Sequence, residues 1–449
     1  MNNNGASNRG RKVSRRDFIK TSASAAVSLA AVTSGPGRIL YATSNELRVG
    51  LIGCGGRGTG AVTQALLATN TPVKLWAMGD LFRDQLDKSY DMLSKGAEAS
   101  YDRVAFSSLS AKMDVPEKRK FVGFDAYRGV IDSGVDIVIL ATTPHYRPEH
   151  FKYAVEKGKH VFMEKPVAVD PVGVRSVIAS AELAREKKLS IVAGTQRRHQ
   201  NHYLEIMRRI HGGDIGEIVG GQCYWNSGGM LDWGPKDQPG WTEMERQNRR
   251  WYFYTWLCGD HIVEQHVHNI DVINWALGTH PVKVMGMGGR QYRTGKEYGN
   301  IWDHFAVEYE YPGGVRIMGT CRHTDGASHR NSERLVGTKG STYTDGSNGS
   351  IEGQNAYKYD GPANNPYVQE HKDLIESIRS GKPINEGRQV AESTLTAIMG
   401  RMSAYTGREL SWDWAINASK LDLRPPKYDL SLDDLPVRPV AIPGKTKLI

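Results

Sequence analysis

The chain has 449 residues, of which 39% are hydrophobic and 24% are charged, and it contains four cysteines. This length is ample for two domains, and the cysteines indicate neither a disulfide scaffold nor a metal site. The formal net charge is +9, but residues 1–42 carry seven basic side chains and one acidic, which leaves 51 basic and 48 acidic side chains for the rest. The composition therefore gives little support to nucleic-acid binding.

The N-terminal segment has the pattern of an export signal. Residues 14–20 read S-R-R-D-F-I-K, and residues 21–32 form an uncharged run of small and apolar residues. The paired arginines resemble a twin-arginine signal, and the apolar run is too short to cross a bilayer. We therefore predict that residues 1–44 are an export signal and linker, read by the twin-arginine machinery and directing the protein to the periplasm. The alternative is a disordered basic tail. No later segment predicts a membrane span.

A nucleotide-binding pattern begins at residue 47. Residues 47–52 read as a buried parallel strand, the following glycines complete G-x-G-x-x-G, and residues 59–68 continue as a helix. In this setting Gly53 allows the tight turn, Gly55 lets a pyrophosphate approach the backbone, and Gly58 lets the helix pack on the strand. The alternative is a glycine-rich turn without a ligand.

An acidic residue follows the second predicted strand. Residues 73–78 are apolar and end at Gly79-Asp80. Asp80 is placed to accept hydrogen bonds from the adenosine ribose hydroxyls, which favours NAD over a 2′-phosphorylated cofactor. Arg83 follows shortly, so NADP remains open.

The remaining elements of the first domain alternate between strand and helix. After a polar insertion at 95–120, strands are predicted at 135–141 and 160–163, with a helix at 148–156 between them. Alternation of this kind is typical of a doubly wound parallel sheet, so we predict a Rossmann domain at residues 45–169. A helix at 172–187 and a strand at 190–194 either complete this domain or begin the next.

The pattern then changes to long segments of period two. These segments predict an open, largely antiparallel sheet, with strands at 217–226, 282–292, 305–311 and 315–322. Helices are predicted at 259–277, 368–379 and 389–406, a polar loop at 344–365, and an irregular C-terminal arm at 407–449. The chain is thus predicted to be α/β, with an α+β substrate and oligomerisation domain at residues 170–406.

Glu164-Lys165-Pro166 follows the fourth predicted strand. A lysine at the carboxyl end of such a strand faces the ligand crevice, where it can stabilise negative charge on a substrate oxygen. The alternative is a surface Lys-Pro turn.

Four motifs in this order resemble the Gfo/Idh/MocA oxidoreductase family over about residues 47–406: G-L-I-G-C-G-G-R-G, A-T-T-P-H-Y-R-P-E-H, G-K-H-V-F-M-E-K-P and H-N-I-D-V-I-N-W-A-L-G. The resemblance implies hydride transfer between NAD(P) and a sugar or cyclitol, with Lys165 as the active-site lysine and a cis bond to Pro166. It implies cofactor contacts from Gly53, Gly55, Gly56, Arg57, Gly58, Asp80, Thr142, Pro144, His150, Glu164 and Lys165.

The family also carries D-x-x-x-H on a helix of the second domain, with the histidine as acid and base. Alignment puts that histidine at His268 and gives Glu264 at the aspartate position. Residues four apart share a helix face, so Glu264 is predicted to orient His268. The alternative for His268 is a packed histidine at the domain junction. His261, Glu264 and His268 could together hold a metal, but hydride transfer needs none, and we predict no metal.

Substrate contacts are predicted for Arg198, Trp225, Trp233 and His261. Five of the ten tryptophans fall between residues 225 and 256. Aromatic faces beside amides and carboxylates suit a sugar ring, although most of these rings are expected to pack the sheet or a contact between subunits.

Three functions remain open at this point. The first is a sugar or cyclitol oxidoreductase whose cofactor is tightly held, because the periplasm offers no ready NAD pool. The second is an enzyme that cleaves glycosides through transient oxidation by NAD, and the third is a sugar-binding protein without catalysis. We also expect a homo-oligomer, because an open sheet leaves one face for a partner.

Overall fold

The computed structural model describes residues 46–97, 106–230 and 234–449. The predicted export signal, part of the polar insertion and Trp233 lie outside these ranges. Within the described ranges, no helix combines the length and the apolar character that a membrane crossing requires.

A six-stranded parallel sheet forms the first layer, in the order β3-β2-β1-β4-β5-β6. Its strands are β1 (Leu47–Ile52), β2 (Val73–Asp80), β3 (Lys120–Val122), β4 (Ile137–Leu140), β5 (His160–Met163) and β6 (Ile191–Ala193). The strand order reverses direction at β1, as in a doubly wound fold. This confirms the predicted fold class, and it places the strand near residue 191 in the parallel sheet rather than in the second.

Five helices connect or follow these strands: α1 (Gly56–Leu67), α2 (Arg83–Lys95), α3 (Ala126–Asp132), α4 (Arg147–Glu156) and α5 (Pro171–Glu186). The turn from β1 to α1 depends on its glycines. Gly53 has a φ of +96°, and a Cβ on Gly58 would lie 1.8 Å from the carbonyl oxygen of Gly53. The third glycine of the motif therefore sets how closely α1 packs on the sheet.

The second layer is a sheet of nine of the described strands, in the order β14-β13-β12-β11-β7-β10-β9-β8-β15. They are β7 (Ile218–Ser227), β8 (Lys283–Gly289), β9 (His304–Glu310), β10 (Arg316–His323), β11 (Arg330–Gly337), β12 (Gly340–Asp345), β13 (Gly349–Gly353), β14 (Tyr357–Lys358) and β15 (Leu410–Ser411). Strands β7 and β10 pair in parallel, and the other neighbours are antiparallel. The predicted, largely antiparallel sheet is confirmed.

Seven helices follow α5 in the described chain: α6 (Asn201–His211), α7 (Glu243–Arg249), α8 (Thr255–Cys258), α9 (His261–Glu264), α10 (Val267–Leu277), α11 (Pro366–Ser380) and α12 (Gly387–Thr406). Helix α12 is buried along most of its length and packs against α5, α10 and β8. Helix α11 packs on the parallel sheet, where Leu374, Ile375 and Ile378 join the core that contains Val62 and Val192.

Two predictions about elements are wrong. The segment predicted as a loop at 344–365 contains β13 and β14, and β11 and β12 were not predicted. These strands are either very short or rich in polar residues, so their pairing depends on backbone hydrogen bonds rather than on an apolar pattern. The helix predicted at 259–277 is divided into α9 and α10, with Gln265 and His266 between them.

The C-terminal arm lies along both layers. Its strand β15 pairs with β8, the N–H of Leu423 donates to the Asp170 carboxylate at 2.8 Å, and the carbonyl of Leu432 accepts from the N–H of Met244 at 3.0 Å. The arm therefore ties α7 and the start of α5 to the end of the chain.

Candidate active site

A cavity of about 570 Å³ lies at the carboxyl ends of β1, β2, β4 and β5, and α9, α10 and the segment around α7 form its opposite wall. This volume is in the usual range for sites that bind small molecules and cofactors. Twelve of the predicted site residues line it: Gly53, Gly55, Gly56, Arg57, Asp80, Thr142, Pro144, Glu164, Lys165, Trp225, Glu264 and His268.

The N-terminus of α1 forms one end of the cavity. Gly55 is its N-cap residue and supplies no side-chain cap, and a Cβ at this position would extend into open space. The amides of the first helical turn, together with the helix dipole, provide a site for negative charge. A dinucleotide pyrophosphate fits this cradle, with Gly55, Gly56 and Arg57 around it.

Asp80 lies at the end of β2, beside this cradle. Its carboxylate accepts hydrogen bonds from the N–H of Cys54 at 2.6 Å and from the N–H of Phe82 at 2.8 Å. Burial raises the pKa of Asp80 to about 6, although both of these hydrogen bonds oppose the shift. The carboxylate is thus fixed in the cavity lining beside the cradle. Arg83, by contrast, is held in salt bridges with Asp87 and Glu117.

Lys165 lies at the end of β5 and enters the cavity. Its peptide bond to Pro166 is cis, as the family resemblance implied. The ammonium group donates to the backbone carbonyl of Glu264 at 2.5 Å and to its carboxylate Oε1 at 3.1 Å. The side chain is 11% exposed, so the amine is positioned by its contacts and still reaches the cavity.

His268 lies near the start of α10 and faces the same cavity. The Trp225 indole stacks on the imidazole, with ring centroids 5.7 Å apart and planes 21° apart. Burial lowers the pKa of His268 well below its usual value, and the positive charges of Lys165 and Arg197 lower it further. The imidazole is therefore neutral near pH 7 and available to accept a proton.

The predicted role of Glu264 needs a correction. Glu264 ends α9, whereas His268 belongs to α10, so the two residues do not share one continuous helix face. The Glu264 carboxylate is bonded to Lys165, and burial raises its pKa while Lys165 opposes that shift. In the described structure Glu264 therefore positions the lysine rather than the histidine.

Four predicted site residues lie away from the cavity lining. Gly58 packs α1 on the turn at Gly53. His150 is buried behind the wall, where its ring stacks on Tyr127 at 4.2 Å and its Nδ1 lies 3.4 Å from the Thr142 hydroxyl. These two residues support the cofactor wall from behind.

The other two, Arg198 and His261, were predicted to contact substrate, and their positions do not support that role. Arg198 forms a two-pronged salt bridge with Asp271, at 2.8 and 3.0 Å. His261 is fully buried, and its Nδ1 lies 3.0 Å from the Asp260 carboxylate. Both residues are committed to structural partners. Among the described residues, no group of three or more His, Cys, Asp or Glu side chains is arranged to hold a metal ion.

The structure adds residues that the sequence reasoning missed. Arg147 is buried, and its guanidinium donates to the carbonyls of Thr142 and Pro166, which joins the ends of β4 and β5. Arg57 and Glu164 were both predicted site residues, and the structure adds that they form a salt bridge at 2.8 Å. Further lining residues include Tyr146, Gln196, Arg249, Trp251, Tyr252, Gln265 and Tyr367. Arg147 lies within the motif A-T-T-P-H-Y-R-P-E-H, so the sequence could have indicated its place at the site.

The clustered tryptophans divide between the cavity and the core. Trp225 and Trp251 line the cavity. Trp256 is buried and donates its indole N–H to Gln247 at 2.6 Å, and Trp241 lies beside the guanidinium of Arg249. The expectation that only one or two of these rings face the ligand agrees with this arrangement for the described residues.

Comparison with known proteins places this site in a family. A model described as an oxidoreductase family with an NAD-binding Rossmann fold matches residues 47–195, and a Gfo/Idh/MocA C-terminal domain model matches residues 203–343. Together the two models match well over half of the chain.

Individual relatives are more distant. The 2,7-anhydro-N-acetylneuraminate hydratase of Escherichia coli is 27% identical over 180 residues, which is 40% of this chain and 44% of that protein. The scyllo-inositol 2-dehydrogenase (NAD(+)) of Bacillus subtilis is 24% identical over 220 residues, 49% and 58% of the two chains. The chain thus spans about half the length of these curated relatives.

The fold also matches solved structures. The aldose-aldose oxidoreductase of Caulobacter crescentus, solved in complex with glycerol, superposes with a TM-score of 0.62 at 18% identity, and the match covers 82% of this chain and 99% of that one. At this identity the likeness concerns the fold alone. The two family matches agree with the fold and with the nucleotide cradle. The chain therefore belongs to the Gfo/Idh/MocA family of NAD-binding oxidoreductases.

Proposed function

We propose that the protein is an NAD-dependent oxidoreductase that acts on a sugar, a cyclitol or a sugar derivative. The observation that carries the proposal is that Lys165 and His268 face one cavity that also contains the cradle at α1 and the Asp80 carboxylate. Bound NAD would supply the hydride acceptor at its nicotinamide ring. The protein's own residues supply the proton chemistry and the charge stabilisation.

We assign a separate task to each side chain, and the contacts support each assignment. Neutral His268 accepts the proton of a substrate hydroxyl, with its ring held by Trp225. The Lys165 ammonium group stabilises negative charge as it develops on the same oxygen. Glu264 holds Lys165 in place through its carboxylate and its backbone carbonyl.

Assay of nicotinamide reduction with a panel of sugars and cyclitols tests this proposal. The variants Lys165→Ala and His268→Ala are expected to lose turnover by about a hundredfold or more while retaining NAD binding. Lys152→Ala and His211→Ala, both outside the cavity lining, serve as controls that keep activity. Full turnover in the two site variants would refute the assignment of these residues.

A second reaction class is favoured by one comparison. The Escherichia coli relative is named a hydratase, and hydration involves no net transfer of electrons. The same site can therefore be proposed to oxidise a sugar carbon transiently, assist cleavage or elimination of a glycoside, and then reduce the carbon again. Product analysis with glycosides distinguishes the two classes: breakdown without accumulation of NADH indicates the redox-neutral cycle. Sugar binding by calorimetry, without any turnover, would instead indicate a binding protein.

We propose that the protein is exported to the periplasm in the folded state. Because the periplasm offers no ready NAD pool, NAD would travel with the protein. The support is the segment S-R-R-D-F-I-K at residues 14–20. The full chain is expected in the periplasmic fraction of a bacterium with a twin-arginine system, whereas a double variant Arg15→Lys and Arg16→Lys is expected to stay in the cytoplasm. Cytoplasmic accumulation of the unmodified chain would contradict this.

A homo-oligomer is proposed through the outer face of the second sheet. Met285, Met287 and Met318 on this face are 44%, 68% and 39% exposed, and Met285 and Met318 both lie opposite Glu308 in the strand register. Exposed methionines on a sheet suit a contact between subunits. Sedimentation of Met287→Asp is expected to show a smaller species than the unmodified protein, and a monomeric unmodified protein would contradict the proposal.

A further inference from the structure

Arg249 reaches from the second layer to the nucleotide-binding layer. Its guanidinium donates to both oxygens of the Asp84 carboxylate, each at 3.0 Å, and its Nε donates to Glu245 at 2.8 Å. Asp84 lies in the first turn of α2, whereas Arg249 is the last residue of α7. The pair therefore joins two elements separated by 165 residues of sequence.

This pair lies at the cavity end that contains Asp80. Arg249, Phe82 and Gln85 line the cavity together with Asp80. The Arg249 guanidinium lies 3.9 Å from the centre of the Phe82 ring, and the Arg249 side chain is 15% exposed. An arginine stacked on an aromatic ring and bonded to both oxygens of a carboxylate is more rigidly held than an ordinary surface side chain.

Helix α7 is also anchored at its other end. The Thr242 hydroxyl donates to the carbonyl of Leu430 at 2.5 Å, and the N–H of Met244 donates to the carbonyl of Leu432 at 3.0 Å. Met244 is fully buried in a core that includes Leu435. The C-terminal arm thus fixes the start of α7, and the Arg249–Asp84 pair fixes its end.

We propose that the Arg249–Asp84 pair is a clasp that closes the adenosine end of the cofactor cleft and slows the release of NAD. The proposal rests on the proposed function, because it assumes that NAD occupies the cavity with its ribose at Asp80. Opening the clasp separates α7 from α2 and widens the route out of the cleft. Arg249 and Asp84 are positioning residues that control release and take no part in hydride transfer.

The test is the rate constant for NAD release, measured by loading the full-length protein with isotopically labelled NAD and chasing with excess unlabelled NAD. Asp84→Asn and Arg249→Gln are expected to release NAD roughly threefold to tenfold faster than the unmodified protein, as befits a partly exposed ion pair. The double variant should be no faster than Arg249→Gln alone, because Arg249→Gln already removes the interaction that Asp84→Asn removes. Added salt should accelerate release from the unmodified protein and have little effect on Asp84→Asn.

Asp91→Asn provides a matched control, because Asp91 lies on the same helix in an exposed salt bridge with Lys95 at 2.8 Å. Thermal unfolding of each variant shows whether its fold is intact. Release from Asp84→Asn at the unmodified rate, with NAD still bound by both proteins, overturns the clasp and leaves the proposed function standing. Equal acceleration in Asp91→Asn also overturns it. An unmodified protein that binds no NAD overturns both proposals.

Discussion

The Lys165 amine lies against Glu264, and the length of the Glu264 side chain determines one of the two contacts that hold the amine. The Lys165 amine contacts both the carboxylate and the backbone carbonyl of Glu264. Both side chains are about nine-tenths buried, so a carboxylate that lost this partner would be costly. The extra methylene of glutamate, relative to the aspartate of the family pattern, lets the carboxylate reach the lysine.

Shortening that side chain should reduce turnover more than substrate binding. In Glu264→Asp the carboxylate moves back from Lys165, and the amine is then held by the backbone carbonyl alone. We expect kcat to fall about tenfold with a smaller change in KM, because the lysine acts on charge that develops during the reaction. Steady-state kinetics check this. Unchanged kcat would show that the carboxylate has no positioning role, and Glu376→Asp, at an exposed position on α11 away from the cavity, provides the control.

Asp80 should make NAD binding depend on pH. Burial raises its pKa to about 6, so the carboxylate becomes protonated as the pH falls through that value and becomes a weaker acceptor of hydrogen bonds from ribose hydroxyls. We therefore expect the Kd for NAD to rise as the pH falls below about 6 and to be steady above it. Calorimetric titration across this range measures it. Asp80→Asn should bind weakly at every pH, and a variant that retains the same pH dependence would contradict the assignment.

At the scale of elements, the break between α9 and α10 determines which residues meet. Asp260 has a φ of +71° and is the N-cap residue of α9, and its carboxylate accepts hydrogen bonds from the N–H groups of His261 and Trp302, at 2.6 and 2.7 Å. These contacts fix the short α9 separately from α10. As a result Glu264 is directed to Lys165, while His268 lies on the next helix.

The turn from β1 to α1 offers a matched pair of glycine substitutions. A Cβ at position 58 would collide with the Gly53 carbonyl, whereas a Cβ at position 55 meets nothing within 4 Å. Gly58→Ala is therefore expected to destabilise the protein by about 1–3 kcal/mol. Gly55→Ala is expected to keep its stability and to bind NAD less tightly, because its methyl group occupies the pyrophosphate position.

Thermal or denaturant unfolding, together with NAD titration, separates the two effects. Equal stability of Gly58→Ala and the unmodified protein would mean that α1 tolerates a shift away from β1. Unchanged NAD affinity in Gly55→Ala would mean that the phosphates do not approach this residue.

At the scale of the whole molecule, His199 connects three parts of the chain. It follows β6, its Nδ1 lies 2.6 Å from Asp373 on α11, and its Nε2 lies 3.2 Å from Glu386 before α12. Burial opposes the charged form of this imidazole, but the hydrogen bonds to Asp373 and Glu386 raise its pKa to about 10. The protonated form thus holds the two helices to the end of the parallel sheet.

Because the pKa of His199 is raised in the folded state, the free energy of unfolding should decrease as the pH rises. The contribution of His199 is fully present below its unfolded pKa of about 6.5 and is lost as the pH rises towards about 10. Denaturant unfolding at several pH values is expected to show a decline in the free energy of unfolding of up to about 5 kcal/mol over this window, at about 1.4 kcal/mol for each unit by which the pKa is raised, and a much smaller decline in His199→Gln. Parallel curves for the two proteins would contradict the prediction. His280→Gln, at a half-buried site, is the control.

The sequence predicted the structure correctly where a local pattern determines it. The glycine turn, the acid after β2 and Glu164-Lys165-Pro166 all lie within short segments, and the structure places each of them at the cavity. It failed where a partner comes from far along the chain. Arg198 is paired with Asp271 and Arg249 with Asp84, and no local pattern indicates either contact. Strand β13 was missed because it is polar and contains two glycines, and β14 was missed because it is a two-residue strand at the sheet edge.

The position of helix α11 in the sequence determines when the parallel sheet can be completed during synthesis. Its apolar side chains complete one face of the parallel sheet, yet it follows β6 by roughly 170 residues. During synthesis the six parallel strands emerge first, and one part of their apolar surface has no cover until α11 leaves the ribosome. At a rate of roughly 5–20 residues per second, that wait lasts on the order of ten seconds or more. The nucleotide cleft is therefore finished late in translation, and chaperones have a defined apolar surface to protect until then.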